Sequence, residues 1–245
     1  MIPKVIHYCW FGRNPLPQLA VKCIESWKKY FPEYEIKEWN EDNFDVNIIP
    51  YTAEAYKMKK FAFVSDFVRL YVLEKYGGLY FDTDVEVLKP FDDILQNGPF
   101  LGVETIKPIN GHNVKAINPG LGLGFPSGHP FLKEIVELYS KSNFYKESGN
   151  NYGFKTIVEF TTEIMLSKGF QGRFSNDKFE VVDGIYIYNT DFFCPQLNGN
   201  KWEVLPNTYS IHHYAATWIP WHIRLKVKFS RNFKILYRCY KAIIK

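Results

Sequence analysis

The stretch from Phe63 to Pro90, FVSDFVRLYVLEKYGGLYFDTDVEVLKP, constrains the fold of this chain more than any other. Apolar residues recur at helical spacing in its first half, which predicts a helix with one apolar face. Gly77-Gly78 then supplies the positive-φ residue that commonly closes a helix. Leu79, Tyr80 and Phe81 follow, and such residues suit a buried strand. The stretch therefore predicts a helix, a two-glycine stop and a strand.

Two carboxylates follow this predicted strand. If the chain stays extended, Tyr80, Asp82 and Asp84 point to one side, because side chains alternate along a strand. Asp66 and Arg69 are three residues apart and are therefore neighbours on the helix surface. Paired carboxylates repel each other, and Mg²⁺ or Mn²⁺ could compensate them while also binding phosphate oxygens. The D-x-D spacing is common by chance, so the informative pattern is the composite S-D-x-x-R, G-G and Y-x-D-x-D.

The segment SDFVRLYVLEKYGGLYFDTDVEVLKP resembles the sugar-binding region of family 32 glycosyltransferases. This group includes yeast mannosyltransferases and many bacterial capsule and lipopolysaccharide enzymes. The resemblance implies an α/β fold of the GT-A type, in which helices flank a mixed, mainly parallel central sheet. It also implies a nucleotide-sugar donor, a Mn²⁺ or Mg²⁺ ion and transfer with retention of anomeric configuration.

The same resemblance implies roles for the residues of the composite pattern. Asp82 and Asp84 are the expected metal carboxylates, and together with Arg69 they are the expected catalytic residues. Arg69 and Asp66 would grip the sugar hydroxyls or the phosphate, since a guanidinium offers a planar, bidentate fork. Tyr80 would lie beside the ribose.

The N-terminal residues predict a β-α-β unit, which favours a parallel sheet. A strand is expected over Pro3–Phe11, a helix over Leu19–Tyr30 and a second strand over Glu35–Trp39. Family 32 members commonly begin with a similar I-P-K-x-I-H-x-x-W-x-G. That resemblance implies that Trp10 lies against the donor base, while from spacing alone Trp10 could equally be an ordinary core aromatic.

The glycine-containing segment Asn118–Phe131, NPGLGLGFPSGHPF, matches neither phosphate-binding pattern, G-x-x-x-x-G-K-[ST] or G-x-G-x-x-G. The resemblance implies instead that Asn118 faces the donor sugar or diphosphate. The glycines themselves could simply permit close strand packing. Many relatives have a T-G-P triplet further along, where this chain has KTIVEFTT, so no acceptor residues are carried over.

The segment Tyr209–Trp218, YSIHHYAATW, is the second candidate element of the site. Related enzymes have an H-x-x-x-[ST]-W pattern after the last core strand, and the resemblance assigns its positions to His213, Thr217 and Trp218. Imidazole is a good third ligand for Mn²⁺. We expect His213 rather than His212 to be that ligand, with Thr217 and Trp218 closing over the diphosphate. The alternative is an exposed or core histidine pair.

These features together predict a hexosyltransferase that uses a nucleoside-diphosphate sugar. A UDP-sugar is favoured and GDP-mannose is an option. The resemblance implies that the acceptor is a hydroxyl of a lipid-linked glycan in bacterial surface polysaccharide synthesis. In retaining enzymes of this fold, the leaving phosphate oxygen can itself accept the acceptor proton, so no separate base is needed.

Two other functions compete with this one. LYFDTDV also resembles the strand and D-x-D of haloacid-dehalogenase-type phosphatases, in which Asp82 would be the nucleophile and Asp84 the acid/base. Those enzymes carry the motif on their first strand, whereas here it follows Gly78. A non-enzymatic basic module that binds membrane or nucleic acid is the other alternative, and it rests on the C-terminal residues alone.

Charge is unevenly distributed along the 245 residues. The segment from Arg224 to Lys245 has eight basic residues and no acidic one, and without them the formal net charge of +4 becomes −4. We expect a catalytic domain over residues 1–221 and a basic helical tail over residues 222–245. Apolar residues in the tail recur at helical spacing, which is typical of a helix on an anionic membrane surface. The alternative is a final helix docked on the domain.

The four cysteines show no metal-ligand spacing, so reduced thiols are expected. The N-terminus lacks the apolar core of a signal peptide, and no run approaches the length of a membrane span. We therefore expect a cytoplasmic protein, peripheral at the inner face of the plasma membrane through its tail. Nucleic acid is not an expected partner.

Overall fold

The computed structural model describes residues 1–109, 111–144, 156–176, 178–198 and 201–215. The chain separates into two compact units, Met1–His213 and Tyr214–Lys245, and the elements named below belong to the first. Thr217, Trp218 and the predicted tail over 222–245 lie outside the described residues. Within the described residues, no helix combines the length and the apolar character needed to cross a membrane.

The described elements alternate between helices and strands along most of the chain. The helices are α1 Gln18–Tyr30, α2 Pro50–Lys57, α3 Phe61–Tyr76, α4 Asp92–Asn97, α5 Pro130–Ser140, α6 Ile157–Ser167 and α7 Thr190–Phe193. The strands are β1 Val5–Cys9, β2 Glu35–Trp39, β3 Gly78–Tyr80, β4 Val85–Val87, β5 Phe100–Ile109, β6 His112–Ile117, β7 Leu123–Phe125, β8 Phe179–Val182, β9 Ile185–Tyr188, β10 Leu197–Asn198, β11 Lys201–Trp202 and β12 Ser210–His212.

An eight-stranded sheet forms the centre of the first unit, in the order β2-β1-β3-β7-β5-β9-β8, with β6 paired to β5. Strand β1 is parallel to both β2 and β3, and β5 is parallel to β9. Strand β7 is antiparallel to β3 and β5, and β8 and β6 are antiparallel to their neighbours. Five of these eight strands therefore run in one direction. The expected mixed and mainly parallel central sheet is confirmed.

Helices cover both faces of the sheet. Side chains alternate between the two faces along each strand, so successive residues of one strand pack into two different apolar clusters. Ile6 and Leu79 belong to the cluster that contains Trp27 of α1. Tyr80 and Leu101 belong to the cluster built by α3, α5 and α6. Burial of aromatic side chains dominates both clusters, and such packing is the main stabilising contribution in an α/β core.

The central stretch folds as a helix, a glycine stop and a strand. Helix α3 ends at Tyr76, and Gly77 follows with φ of 66°. A Cβ at Gly77 would lie 2.7 Å from the backbone nitrogen of Ser127, so the glycine also permits a close approach of the chain. Strand β3 then carries the chain through the centre of the sheet to the D-x-D.

One predicted strand is a hairpin. The alternating residues from Glu180 to Asn189 predict a single strand, but β8 and β9 pair antiparallel across this segment. Asp183 and Gly184 form the connection, both with positive φ. An Asp-Gly pair between apolar residues is a turn signal, which explains the break.

Candidate functional site

The two aspartates of the D-x-D lie in a turn rather than on an extended strand. Strand β3 ends at Tyr80, and the backbone N–H of Val85 donates to the carbonyl oxygen of Asp82 at 3.0 Å. The expected strand alternation is therefore wrong for this segment. The turn, and not the pleat, brings the carboxylates of Asp82 and Asp84 to one place.

Strand β12 brings a histidine to this turn. It pairs antiparallel with β4, and His212 lies opposite Val85 in the register. The Nε2 atom of His212 is 3.1 Å from Oδ1 of Asp84. Burial disfavours the protonated form of His212, but the hydrogen bond to Asp84 and the surrounding negative charge outweigh this and raise the pKa of the imidazole.

Asp82, Asp84 and His212 form a group that could hold a metal ion. Each offers one ligand atom, and these atoms all lie within 4.8 Å of one another. Two carboxylate oxygens and one imidazole nitrogen are a donor set that Mn²⁺ accepts readily and Mg²⁺ accepts less well. The chemistry of these residues therefore fits the ion that the resemblance implies.

The structure does not bring His213, the expected ligand, to this group. Its Nε2 atom is 2.8 Å from Oε2 of Glu86, and Lys22 of α1 contacts the same carboxylate at 2.8 Å. Adjacent residues of a strand face opposite sides, so the register that points His212 at Asp84 turns His213 away. The edge of Trp202 packs on the His213 ring.

Arg69 of α3 lies on the other side of Asp82. Its Nη2 atom is 3.1 Å from Oδ1 of Asp82 and its Nη1 atom is 3.3 Å from Oδ2, so the guanidinium holds both oxygens of one carboxylate. The same Nη2 is 2.9 Å from Oδ1 of Asp66. The Arg69 side chain is only 5% exposed, and a buried guanidinium requires such pairing.

Burial shapes the titration of both α3 groups. Burial disfavours the charge of Arg69, but the neighbouring Asp82, Tyr80 and Asp66 outweigh this and raise its pKa above the ordinary value. Burial raises the pKa of Asp66 to about 6, although Arg69 opposes the rise and the backbone N–H of Ile157, at the start of α6, donates to this carboxyl.

Tyr80 contacts Asp82 and orients its carboxylate. Its hydroxyl donates to Oδ1 of Asp82 at 3.1 Å, and its ring lies under the guanidinium of Arg69, 4.8 Å from ring centroid to Cζ. Burial raises the pKa of this phenol well above its ordinary value, so the hydroxyl keeps its proton. Asp82 therefore accepts hydrogen bonds from both Tyr80 and Arg69.

The loop after β6 closes this part of the site. Asn118 uses its amide within the protein: Nδ2 donates to Oε2 of Glu104 at 2.7 Å, and Oδ1 accepts from the N–H of Gly120 at 2.7 Å. A Cβ at Gly120 would lie 2.2 Å from Oδ2 of Asp82 and 3.2 Å from Nη1 of Arg69. Gly120 and Glu104 were not predicted as site residues, and the tight N-P-G after the strand was the available signal for Gly120.

Trp10 follows directly after β1, and its indole N–H donates to the carbonyl oxygen of Asn14 at 2.6 Å. Its side chain is half-buried and packs against the α1 side of the core. The structure describes no contact of Trp10 with the aspartates. Thr217 and Trp218 cannot be placed relative to the site, since they lie outside the described residues.

The site has two sides that meet at Asp82. We call Asp84 and His212 the cation side, and Asp66 and Arg69 the guanidinium side. Asp82 and Asp84 are 27% and 16% exposed, so both can reach a ligand, whereas Arg69 behind them is enclosed. Such an arrangement can bind a cation on one side and polar hydroxyls or an anion on the other.

One known family has a region that is similar to residues 17–101 of this chain. Residues 17–101 match the family model described as "Glycosyltransferase sugar-binding region containing DXD motif". The match includes Asp66, Arg69, Tyr80 and both aspartates of the D-x-D. His212 and Asn118 lie beyond its end.

Curated relatives include fungal mannosyltransferases. The chain is similar to inositol phosphoceramide mannosyltransferase 3 of Schizosaccharomyces pombe, with 29% identity over 68% of this chain and 44% of the relative. It is also similar to the initiation-specific alpha-1,6-mannosyltransferase of Candida albicans, with 22% identity over 88% of this chain and 72% of the relative. The chain thus spans less than half the length of the first of these relatives.

Among solved structures, the PaToxG glycosyltransferase aligns with 56% of this chain and 60% of its own, at a TM-score of 0.44 and 20% identity. The family match and the names of the curated relatives agree with the predicted class, that of the glycosyltransferases. Residues 17–101 of this chain are similar to the DXD-containing sugar-binding region of glycosyltransferases, and the DXD motif of this region falls at Asp82 and Asp84.

Proposed function

We propose that this protein transfers a hexose from a nucleoside-diphosphate sugar to a hydroxyl of a glycan acceptor, with a divalent cation at the D-x-D. The observation that carries the proposal is the group of Asp82, Asp84 and His212, whose ligand atoms lie within 4.8 Å of one another beside a buried arginine. The match of residues 17–101 to a sugar-binding region supports it.

The cation side would hold the metal. Asp84 and His212 are the proposed ligands. Asp82 has a carboxylate oxygen within 4.8 Å of their ligand atoms and could share the ion with them. A bound Mn²⁺ or Mg²⁺ would neutralise the charge that develops on the leaving diphosphate. The hydrogen bond between His212 and Asp84 keeps the imidazole turned toward the site in the absence of the ion.

The guanidinium side would hold the sugar. The Asp66 carboxylate accepts from sugar hydroxyls, and Arg69 sets the position of both Asp66 and Asp82 through its two pairs. No residue beside the site is proposed as a nucleophile. In a transfer with retention, the acceptor hydroxyl attacks from the face of the leaving phosphate, and a phosphate oxygen takes its proton.

A UDP-sugar remains the favoured donor, with GDP-mannose as the option that the names of the relatives support. The S. pombe and C. albicans relatives are both named as mannosyltransferases. Trp10, at the end of β1, is the proposed partner of the donor base. Thr217 and Trp218 are proposed to close over the diphosphate, and Asn118 to border the donor sugar.

The proposed acceptor is a lipid-linked glycan, at the inner face of a plasma membrane and in the synthesis of a bacterial surface polysaccharide. The S. pombe relative is named for inositol phosphoceramide, a lipid, which supports an acceptor held at a membrane. The eight basic residues of the segment from Arg224 to Lys245 support an anionic surface as partner. This proposal places the protein in the cytoplasm and peripheral to the membrane.

A screen of nucleotide-sugars tests the proposed function directly. The full chain is mixed with UDP-glucose, UDP-galactose, UDP-N-acetylglucosamine, GDP-mannose or a dTDP-sugar, and release of the nucleoside diphosphate is measured with and without Mn²⁺. We expect release from at least one donor, abolished by a chelator and restored by Mn²⁺. No release and no binding across all donors would overturn the proposal.

A trapping experiment separates the transferase from the phosphatase alternative. In the structure both oxygens of Asp82 accept from Arg69 and one also accepts from Tyr80, which leaves this carboxylate poorly placed for nucleophilic attack. We expect no aspartyl-phosphate at Asp82 after incubation with phosphorylated sugars. A trapped acyl phosphate at Asp82 would favour the phosphatase.

A further inference from the structure

Glu104 occupies an unusual position in strand β5. The pairing of β5 with β6 shifts between Val103 and Thr105, which makes Glu104 the extra residue of a β-bulge. Bulges occur next to active sites, where they re-aim a side chain that regular alternation would direct elsewhere. Here the bulge puts the Glu104 carboxylate in the interior, beside Asn118.

The Glu104 carboxylate is buried to an extent that is costly for a charged group. Its side chain is 3% exposed. It accepts from Nδ2 of Asn118 at 2.7 Å, and Lys107, on the following part of the strand, pairs with its other oxygen. A buried carboxylate with such partners is rarely more stabilising than an apolar residue of the same size, so its presence calls for a role beyond stability.

Three hydrogen bonds in series connect Glu104 to the D-x-D. Asn118, held by Glu104, accepts from the N–H of Gly120. The carbonyl oxygen of Gly120 in turn accepts from the N–H of Asp82 at 3.3 Å, and a Cβ added at Gly120 would meet the Asp82 carboxylate and Arg69. A change at Glu104 therefore reaches Asp82 from the guanidinium side.

We propose that Glu104 is a positioning residue of the donor site, which acts through Asn118 and Gly120 to fix the Asp82 carboxylate against Arg69. It does not contact the donor itself. The negative charge strengthens the hydrogen bond to the Asn118 amide, because hydrogen bonds to an ionised acceptor are shorter and stronger than neutral ones. The activity measurement for this proposal rests on the proposed function. Amide hydrogen exchange in the loop that contains Asn118 and Gly120 provides a second measurement, which does not.

The first test compares three variants by release of nucleoside diphosphate: Glu104→Gln, Asn118→Ala and the double variant. Glu104→Gln keeps the shape and removes the charge. We expect each single variant to lower turnover about tenfold or more, as is usual for groups that orient a site residue. If Glu104 acts through Asn118, the double variant is no slower than Asn118→Ala alone. Losses that multiply in the double variant would overturn the proposal.

The second measurement separates positioning from general destabilisation. Affinity for the nucleoside diphosphate with Mn²⁺ should fall much less than turnover in Glu104→Gln, because the contact between Asp84 and His212 is kept and only the electrostatic effect of Glu104 on His212 is lost. Wild-type turnover in Glu104→Gln, or an equal loss of turnover and of nucleotide affinity together with a lower melting temperature, would contradict a positioning role.

Glu180→Gln is the matched control. Glu180 also holds a loop, by accepting from the N–H groups of Gln171 and Arg173 at 2.8 and 2.7 Å, but it lies on β8 at the edge of the sheet. This variant should turn over at the wild-type rate. A fall equal to that of Glu104→Gln would show that any loop-holding glutamate has the effect, which rejects the proposal.

Amide hydrogen exchange keeps the test independent of the proposed function. If the wild-type protein neither binds nor cleaves a nucleotide-sugar, the proposed function fails, but the loop can still be measured. Glu104→Gln should speed exchange at the N–H groups of Gly120 and Asp82, since both depend on the position of the loop. Unchanged exchange at these two amides would overturn the proposal whatever the activity.

Discussion

Strand β3 begins and ends in two different kinds of buried polar surroundings. At its start, His7 of β1 is almost fully buried, its Nε2–H donates to the carbonyl oxygen of Gly77 at 2.9 Å, and its Nδ1 accepts from the indole N–H of Trp39 at 3.0 Å. A neutral imidazole can make both of these hydrogen bonds. At its end, the enclosed Arg69 pairs with Asp82, and the Asp82 side chain is 27% exposed and can reach a ligand.

The pKa values of the two buried histidines are shifted in opposite directions. Burial lowers the pKa of His7, which keeps it neutral, whereas the pKa of His212 is raised by Asp84 and the charges around it. A neutral network whose donors and acceptors are paired within the protein stabilises the fold and has no group that a ligand could bind. A charged cluster is costly to bury and is retained where it binds or reacts. The start of β3 therefore serves stability and its end serves function.

The largest expected effect is the loss of activity in Asp84→Asn, which keeps the shape of the side chain and removes its charge. Loss of a metal carboxylate removes several kcal/mol of transition-state stabilisation, so nucleotide release should fall roughly a thousandfold or more. The melting temperature should stay close to that of wild type. Asp183→Asn, in the β8–β9 turn, is the control and should remain active. A fully active Asp84→Asn would remove the end of β3 from the mechanism.

Arg69→Met tests whether the charged end of β3 is held together by its arginine. The variant leaves the carboxylates of Asp66 and Asp82 without their buried partner, so we expect a loss of about 3 kcal/mol or more in the free energy of unfolding. Arg13→Met removes an exposed arginine from its pair with Asp42 and should lower the free energy of unfolding far less, because solvent screens an exposed ion pair. Urea unfolding of both variants measures the difference, and equal losses would contradict the comparison.

Gly120→Ala tests the contact between the loop and Asp82. The added Cβ would lie 2.2 Å from Oδ2 of Asp82, so the carboxylate or the loop must move, at a cost of about 1–3 kcal/mol. Turnover should fall as well, because Asp82 is displaced. Gly184→Ala, whose Cβ meets no atom within 4 Å, carries only the backbone cost of a positive φ and should keep wild-type turnover. A normal rate in Gly120→Ala would show that Asp82 tolerates displacement.

The smallest expected effect is a pH dependence of stability from His7. Its folded pKa lies below the unfolded value of 6.5, so the unfolded chain binds the proton more readily. The contribution of His7 is therefore full above pH 6.5 and is lost as the pH falls through the folded pKa. The free energy of unfolding, measured from pH 7.5 to 5, should fall more steeply for wild type than for His7→Gln. Parallel curves would contradict a neutral network at the start of β3.

The sequence predicted the local parts of the fold well. The helix–glycine–strand stretch and the β-α-β start both lie where the periodicity and the turn residues indicated. These features depend on neighbours in the chain, and for that reason a pattern can reveal them. The missed hairpin at Asp183-Gly184 belongs to the same class, since its turn signal was present in the sequence.

The site was predictable only in part. The pairing of Asp66 with Arg69 follows from their spacing on one helix, and the structure contains it. No sequence pattern indicated that Glu104 belongs to the site, because a bulge depends on the register between two strands and not on the residues of one strand. The D-x-D was expected to converge through strand alternation, but a turn does so instead.

The sequence by itself determined which groups are available: two carboxylates after a buried strand, an arginine three residues from an aspartate, and a pair of histidines near the end of the domain. The tertiary structure alone decided which histidine joins the carboxylates. Adjacent side chains on a strand point to opposite sides, so the antiparallel register of β12 with β4 places His212 on Asp84 and His213 on Glu86. A shift of one residue would turn each histidine to the other side, and this register is a pairing between two strands that lie far apart in the chain.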